Sequence, residues 1–472
     1  MTADISRRGF LCGAAAFFVA GCKTGGWLAD VPRLRFGVVS DTHVTTPESC
    51  AMAEKAFRYF RSRGADAVMV PGDITDWGVR SSFEYFKESW DKVFAGTDVA
   101  PLFCTGNHDR EGWLYPDMAM EMHANGYSED EASAKPGLGG EWERVFGEKF
   151  DTFRVRKVKG FSFVSSEYLG NRGNDYADLG AWMKTNCAAL AGGKPFFYFQ
   201  HQPIGGTTGD GPRKEDEVFA ALKGFPNVIA FTGHTHHPFN DERSIWQGDF
   251  TAIAIPSLSY NGYGGKYENG GGPRDGTSTQ AMPQVPTRRD QRGGQGFFVS
   301  VYDDRMVVER IDVEEDCTEG APAWIIPLVG GERPYGFESR AAASVAPRFP
   351  TGAMLHVATC NTVNRSGKWI IAMDCRFPAA AMPEGERVYD YEIRAVPKDG
   401  SAPLVKKFLS PAYAKMAKYE PMTMRFWFDV AELPQGVDYT LEARAFNCFG
   451  KASAPLVSGV RRSVPGLAEV KR

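Results

Sequence analysis

Residues 34–43 read LRFGVVSDTH, a short apolar run that ends in Asp41 and His43, the pattern of a buried strand running out into a polar loop. The pattern recurs. ADAVMVPGDITD (65–76), VAPLFCTGNHD (99–109), KPFFYFQHQP (194–203) and NVIAFTGHTHH (227–237) each close an apolar run on Asp, Asn or His. Between the first two lies AMAEKAFRYFRSRG (51–64), in which Ala53, Phe57 and Phe60 keep an i, i+4, i+7 spacing before Gly64, predicting an amphipathic helix with a glycine stop. Phe83, Phe86, Trp90 and Val93 predict a second helix over Ser82–Phe94. Alternating strands and helices make an α/β layered core, and such folds carry their sites at the carboxyl ends of the strands.

Further along, FTAIAIPSLS (250–259) and GFFVSVYDDRMVVERIDV (296–313) predict more strands, the latter a hairpin turning at Asp303 and Asp304. They bracket a Gly-rich stretch, Tyr260 to Gly296, whose Arg274, Arg288, Arg289 and Arg292 are candidates to cap an anionic substrate, with a solvated loop as the plainer reading. A second insert, Arg110 to about Glu143, contains Tyr115, His123 and Trp142 and is a candidate wall for a site.

The chain has 472 residues, more than one hydrophobic core usually serves, and its 43% apolar and 24% charged residues are those of an ordinary globular protein. A formal charge of -4 with mixed signs leaves no overall basic footprint for nucleic acid. SRRGFLCGAAAFFVAGC (6–22) sets paired arginines before an apolar run too short to span a bilayer. It resembles a bacterial twin-arginine export signal, and Val19–Cys22 resembles a lipobox, which implies a periplasmic or cell-surface protein held to the membrane by a lipid anchor at Cys22. Of nine cysteines, seven follow Cys22, an odd number, and Cys360 with Cys375 or Cys448 is a candidate disulfide.

From about Ala341 the pattern changes to short alternating strands, KWIIAMDCRF (368–377), VYDYEIRAV (388–396), MTMRFWFDV (422–430) and DYTLEARAF (438–446), separated by Pro and Gly turns. This predicts an all-β sandwich. LPQGVDYTLEARAFNCFGKASAPL (433–456) resembles the last two strands of a fibronectin type III domain, which implies that Leu433 and Tyr439 form a tyrosine corner and that the domain is a spacer or a docking module for protein or glycan.

Three of the eight histidines fall within residues 234–237. Taken in order, the strand ends supply Asp41 and His43, Gly72-Asp73, Gly106-Asn107-His108-Asp109, His201, and Gly233-His234 with His236. Each piece alone is weak. Together, in this order, they resemble the calcineurin-like metallophosphoesterase family over Leu34–Val313, which implies a four-layer αββα sandwich and two transition-metal ions. The resemblance implies that Asp41, His43, Asp73 and His236 hold one metal, that Asp73, Asn107, His201 and His234 hold the other, and that Asp73 bridges. A hydroxide between them would attack phosphorus in line, with His108 as general acid toward the leaving oxygen and Asp109 orienting a ligand or His108. Mixed carboxylate, amide and imidazole ligation suits Mn, Fe or Zn better than Mg or Ca. His43 fits the plain pattern rather than the purple acid phosphatase branch. His237 has no counterpart in the motif and reads as a solvated neighbour, and His123 and His356 read as ordinary hydrogen-bonded surface or core residues.

The expected organisation is a signal (1–22), a tether (23–33), the phosphoesterase domain (34–313), a linker (314–340), the β-sandwich (341–464) and a tail (465–472). Phosphomonoesters, nucleotides, cyclic nucleotides, phosphodiesters and lipid-linked phosphates all suit such ligands. The competing class is a non-catalytic surface binding protein on the same fold, which would be expected to have lost a ligand or His108; none is lost.

Overall fold

The computed structural model describes residues 30–128, 138–170, 176–208, 216–261, 266–267, 270–271, 294–363, 368–382, 387–410, 413, 423–433 and 436–462. Residues 32–472 belong to one compact unit. The expected signal and Cys22, and Arg274, Arg288, Arg289 and Arg292, lie outside the described residues.

Each apolar run becomes a strand because both of its faces are covered. β1 (Leu34–Val38) is followed by α1 (Ala51–Ser62), β2 (Ala67–Pro71), α2 (Arg80–Phe94) and β3 (Ala100–Cys104). β1, β2 and β3 pair in parallel. The hairpin Gln295–Val301/Arg305–Asp312 adds antiparallel to β1, turning at Asp303 and Asp304 as expected. The outermost strand of this six-stranded sheet, Thr318–Pro327, falls in the segment read as a linker. It pairs with Arg305–Asp312 and seats Trp324 against Phe297, with ring centroids 5.5 Å apart.

After α3 (Asn107–Glu111), α4 (Pro116–Ala124) and α5 (Leu138–Phe146), the second sheet begins with β4 (Phe153–Val158) and β5 (Phe161–Ser166). It continues through α6 (Leu179–Asn186), β6 (Phe196–Gln200), α7 (Glu217–Leu222), β7 (Val228–Thr232), β8 (Ile245–Gln247) and β9 (Thr251–Ala254). Its order is β4-β5-β6-β7-β9-β8, with β5, β6, β7 and β9 parallel. Phe36 from the first sheet meets Phe163, Phe197 and Phe231 from the second edge-on, at 5.5, 5.0 and 5.9 Å between ring centroids. Phe57, Phe60, Phe86 and Trp90 pack α1 and α2 on the outer face of the first sheet, while Leu179, Met183, Phe219 and Leu222 pack α6 and α7 on the second. The result is the αββα sandwich expected, with the carboxyl ends of its parallel strands at one end.

The C-terminal region is all-β. His356–Val363, Trp369–Pro378 and Thr423–Asp429 form one antiparallel sheet. Leu404–Leu409, Asp390–Pro397 and Asp438–Phe446 form another, extended by Leu456–Val457 and Arg461–Arg462. Phe377, Tyr391, Phe408 and Phe426 are buried together between them. Along Asp438–Phe446, Tyr439, Leu441, Ala443 and Ala445 point inward, the period of two seen in the sequence.

The candidate disulfide does not form; all seven described cysteines are free thiols. Register explains why. Cys360 lies opposite Ala372 and Cys375 opposite Val357, an offset of three that puts the two on opposite faces of the sheet about 10 Å apart, beyond the roughly 7 Å a disulfide spans. The protein unfolded without reductant and alkylated is therefore expected to carry label on both Cys360 and Cys375; their joint protection would contradict this register.

Candidate metal centre

Loops from both sheets meet beyond the strand ends. Asp41 and His43 follow β1, Asp73 and Asp76 follow β2, Asn107 and His108 open α3 after β3, His201 follows β6, and His234 and His236 follow β7. The first two loops are zipped together by Asp41 N to Gly72 O, 3.2 Å, and His43 N to Asp73 O, 3.0 Å. Eight non-glycine residues among those described have positive φ, and five are Asp41, His43, Asp73, His234 and His236. Left-handed backbone costs on the order of 1 kcal/mol or more at each such residue, and it persists only where the surroundings over-determine it. Two of the preceding glycines are required by close approach: a Cβ on Gly106 would overlap Asp73, and one on Gly233 would overlap Ser40 and Asp41.

Among the described residues the side chains converge as three groups: Asp41, His43, Asp73 and His236; Asp73, His201 and His234, which share Asp73 with the first; and His43, Asp76 and His108, which share His43 with it. Within each group the potential ligand atoms all lie within 4.8 Å of one another. His236 Nε2 is 2.8 Å from Asp41 Oδ1, and His201 Nε2 is 3.1 Å from Asp73 Oδ2. Asn107 is buried beside them, its Oδ1 accepting from Gln202 Nε2 at 3.2 Å and its Nδ2 donating to Tyr115 Oη at 3.2 Å.

The donor set fits cations. His43 Nδ1 lies 2.8 Å from Asp76 Oδ1, His236 Nδ1 2.8 Å from Tyr260 O, and His201 Nδ1 2.9 Å from Pro71 O. Each acceptor takes an Nδ1 hydrogen and so turns an Nε2 lone pair inward. His43 Nε2 and His236 Nε2 then face each other at 3.3 Å, beside the Asp41 carboxylate. Lone pairs and carboxylate oxygens this close repel unless protons or cations lie between them.

The local electrostatics say the same of the protein alone. Burial opposes charge on His201, yet Asp73 and Asp41 push it up to about 9, while burial beside that charge takes His234 down to about 3. Asp41 and Asp73 are buried, which favours their neutral forms, but His236 and His201 beside Asp41, and His201 and His108 beside Asp73, hold both below the ordinary carboxylate range. The site therefore concentrates negative charge that imidazolium balances when nothing else does.

Several residues differ from expectation. Asp109 does not meet the His108 ring. Its carboxylate accepts from the Ile74, Thr75 and Gly106 amides and from the Thr75 hydroxyl, tying the β2 loop to the β3 loop, and burial with the nearby Asp73 charge pushes it up to about 7. The orienting group is Asp76, which the motif reading passed over: its Oδ1 lies 2.8 Å from His43 Nδ1 and 2.9 Å from His108 Nδ1. His237 is buried, not solvated, with Nδ1 3.6 Å from Asp241 Oδ2. Of the second insert, Tyr115 reaches the site, its ring 5.2 Å from that of His108. Trp142 packs in the outer core with Phe146, and His123 is exposed, its Nδ1 3.0 Å from Tyr127 O. Tyr260, read only as the start of a loop, lies 4.3 Å from the His236 ring and 5.2 Å from the His43 ring.

Because Asp76 sets the orientation of His43, Asp76→Ala is expected to weaken metal binding by about 10- to 100-fold. Titration of the metal-stripped protein reads this, and unaltered affinity would contradict the role.

Residues 34–238 match the family model described as calcineurin-like phosphoesterase. No curated protein matches the chain significantly. Among solved structures, a dimetal phosphatase from Danio rerio is 13% identical, covering 63% of this chain and 99% of its own, with a TM-score of 0.35. A purple acid phosphatase from yellow lupin is 11% identical, covering 62% and 53%, with a TM-score of 0.37. The anchor in the inner membrane complex of Plasmodium is 12% identical, covering 62% and 88%, with a TM-score of 0.35. With the αββα sandwich and the Asp/His groups at its strand ends, residues 34–238 are a calcineurin-like phosphoesterase domain, which makes the chain a hydrolase acting on phosphoric esters.

Proposed function

We propose that Asp41, His43, Asp73 and His236 hold one transition-metal ion, that Asp73, Asn107, His201 and His234 hold a second, and that His108 is the general acid of ester hydrolysis. The observation that carries the reading is Asp73, a buried carboxylate common to both ligand clusters, with His108 N donating to its Oδ1 at 2.8 Å. When bound, two such ions neutralise phosphoryl oxygens and supply a nucleophile at neutral pH; Mn, Fe and Zn suit these donors. The protein's own part is orientation and proton transfer. Asp76 accepts from His108 Nδ1, by a carboxylate oxygen at 2.9 Å or its backbone carbonyl at 3.1 Å, so Nε2 is the atom left to hand a proton to the leaving oxygen. Asp76 also stabilises the imidazolium that this requires. Tyr115 and Tyr260 flank the acid and the ligands and restrict how an ester enters.

The finer organisation belongs to the same proposal. The C-terminal region reads as fibronectin type III-like, supported by its strand order and by the burial of Leu433 and Tyr439 expected of a tyrosine corner. The phosphoesterase domain extends to Val313, with Thr318–Pro327 attached to its sheet rather than free as a linker. Export by the twin-arginine signal and anchoring through Cys22 would put the enzyme in the periplasm or on the cell surface, acting on small-molecule, nucleotide or lipid-linked phosphate esters there. No helix among the described residues is long and apolar enough to cross a membrane.

The chain from Lys23 onward, stripped and resupplied with Mn, Fe or Zn, is expected to regain hydrolysis of an aryl phosphomonoester or phosphodiester; metal uptake with no activity on any ester would contradict the catalytic reading. Asp73→Ala is expected to lose both metals, and retention of two would refute the shared ligand. His108→Ala is expected to keep both metals and slow turnover by about 10²- to 10⁴-fold, most for esters with poor leaving groups. An equal loss for aryl and alkyl esters would argue against the acid role.

A further inference from the structure

The loop that carries His236 does not end at the metal centre. It continues through His237 and Pro238 into a buried polar turn, Phe239–Arg243, gripped from two sides. From the phosphoesterase sheet, Gln295 Oε1 accepts from Phe239 N and Arg310 Nη1 donates to Phe239 O, both at 3.0 Å. From the β-sandwich, Tyr413 Oη donates to Asp241 Oδ2 at 2.6 Å, and Tyr413 O accepts from Asn240 Nδ2 at 3.1 Å. Asp241 is buried at 1% exposure and also takes the fork of Arg243 at 2.9 and 2.7 Å. The Arg243 guanidinium in turn lies 4.6 Å over the ring of Tyr389, which meets Tyr413 edge-on at 4.7 Å. His237, next to the ligand His236, points Nδ1 at the same carboxylate from 3.6 Å.

From this geometry we infer that the β-sandwich is a working part of the metal centre: Tyr413, acting through Asp241, is a positioning residue for the loop that carries His236. The other ligand loops are fastened by neighbours within the phosphoesterase domain, Asp41 and His43 to the β2 loop and the β2 and β3 loops to each other through Asp109. His236 sits in left-handed backbone, φ 55°, which must be held by its surroundings. Asp241 supplies that hold one turn away, and a buried carboxylate keeps its place only with its partners complete. Tyr413 completes it from 172 positions further along the chain. The inference rests on the proposed role of His236 as a ligand and adds to it a part for a domain otherwise read as a spacer or docking arm.

The test uses the full chain from Lys23, stripped and titrated with Zn²⁺, in wild type, Tyr413→Phe and Asn447→Ala. Asn447 donates to Val345 O at 3.0 Å, bracing the β-sandwich strands against the segment that follows the helix Phe337–Ala343, with no hydrogen bond to the turn among those of the described residues, and so controls for general loosening. Tyr413→Phe is expected to weaken Zn²⁺ binding at one position about tenfold, with metal-free melting lowered no more than in Asn447→Ala, which should bind as wild type does. If Tyr413→Phe does not fold, Asn240→Ala cuts the other hydrogen bond across the seam and is expected to give the same loss. Wild-type affinity in the folded variant, or an equal loss in Asn447→Ala, overturns the inference alone. A wild-type chain that takes up no Zn²⁺ overturns the ligand assignment and the inference with it.

Discussion

Two buried carboxylates, Asp41 and Asp73, lie against the ring nitrogens of His236 and His201, and the rest of the phosphoesterase domain is arranged to tolerate that placement. A buried charge without a partner costs several kcal/mol, and left-handed backbone at five neighbouring positions adds to the cost. Such a site stands only if its frame is stiffer than the forces that would open it. The frame here is two parallel strand sets packed through Phe36, Phe163, Phe197 and Phe231, which bring loops of both sheets into contact at one end. Asp109, spanning the β2 and β3 loops, ties the two ends that present Asp73 and Asn107.

The strands and the proposed ligands were legible in the chain because both follow from local rules. A run such as VIAF (228–231) can be apolar on every residue only where both faces are covered, and the polar residues after it then fall at a strand end. Gly106 and Gly233 precede proposed ligands because a Cβ there would overlap Asp73 at the one and Ser40 and Asp41 at the other, a constraint that marks the sequence directly. What stayed hidden depends on long-range paths. Nothing in DITD separates an aspartate aimed at two imidazoles from a solvated one, so Asp76 was not seen. Tyr115 and Tyr260 belong to the site only because of how their inserts return to it. His237 looked solvated because the partners that bury it, Asp241 and beyond it Tyr413, are not evident from its neighbours. TEGAPAWIIP, with Gly320 and two prolines, gave no strand signal, yet it pairs along an edge where proline is tolerated.

The C-terminal sandwich was legible as strands for the same reason as the core: alternation along DYTLEARAF matches one buried face. Its attachment was not, since the seam joins residues far apart in the chain, such as Tyr413 to Asp241 and Arg243 over Tyr389, and leaves no periodic pattern in the sequence. By our inference this seam holds the position of the loop that carries His236. That is why the metal loop, rather than the overall fold, is where its loss should register.

The central claim is that one carboxylate, Asp73, lies between two metal ions. Anomalous diffraction at the metal edge from crystals of the loaded protein tests it most directly. The account predicts two peaks flanking Asp73, one against Asp41, His43 and His236 and the other against Asn107, His201 and His234. A single peak, or peaks that leave Asp73 to one side, would contradict it.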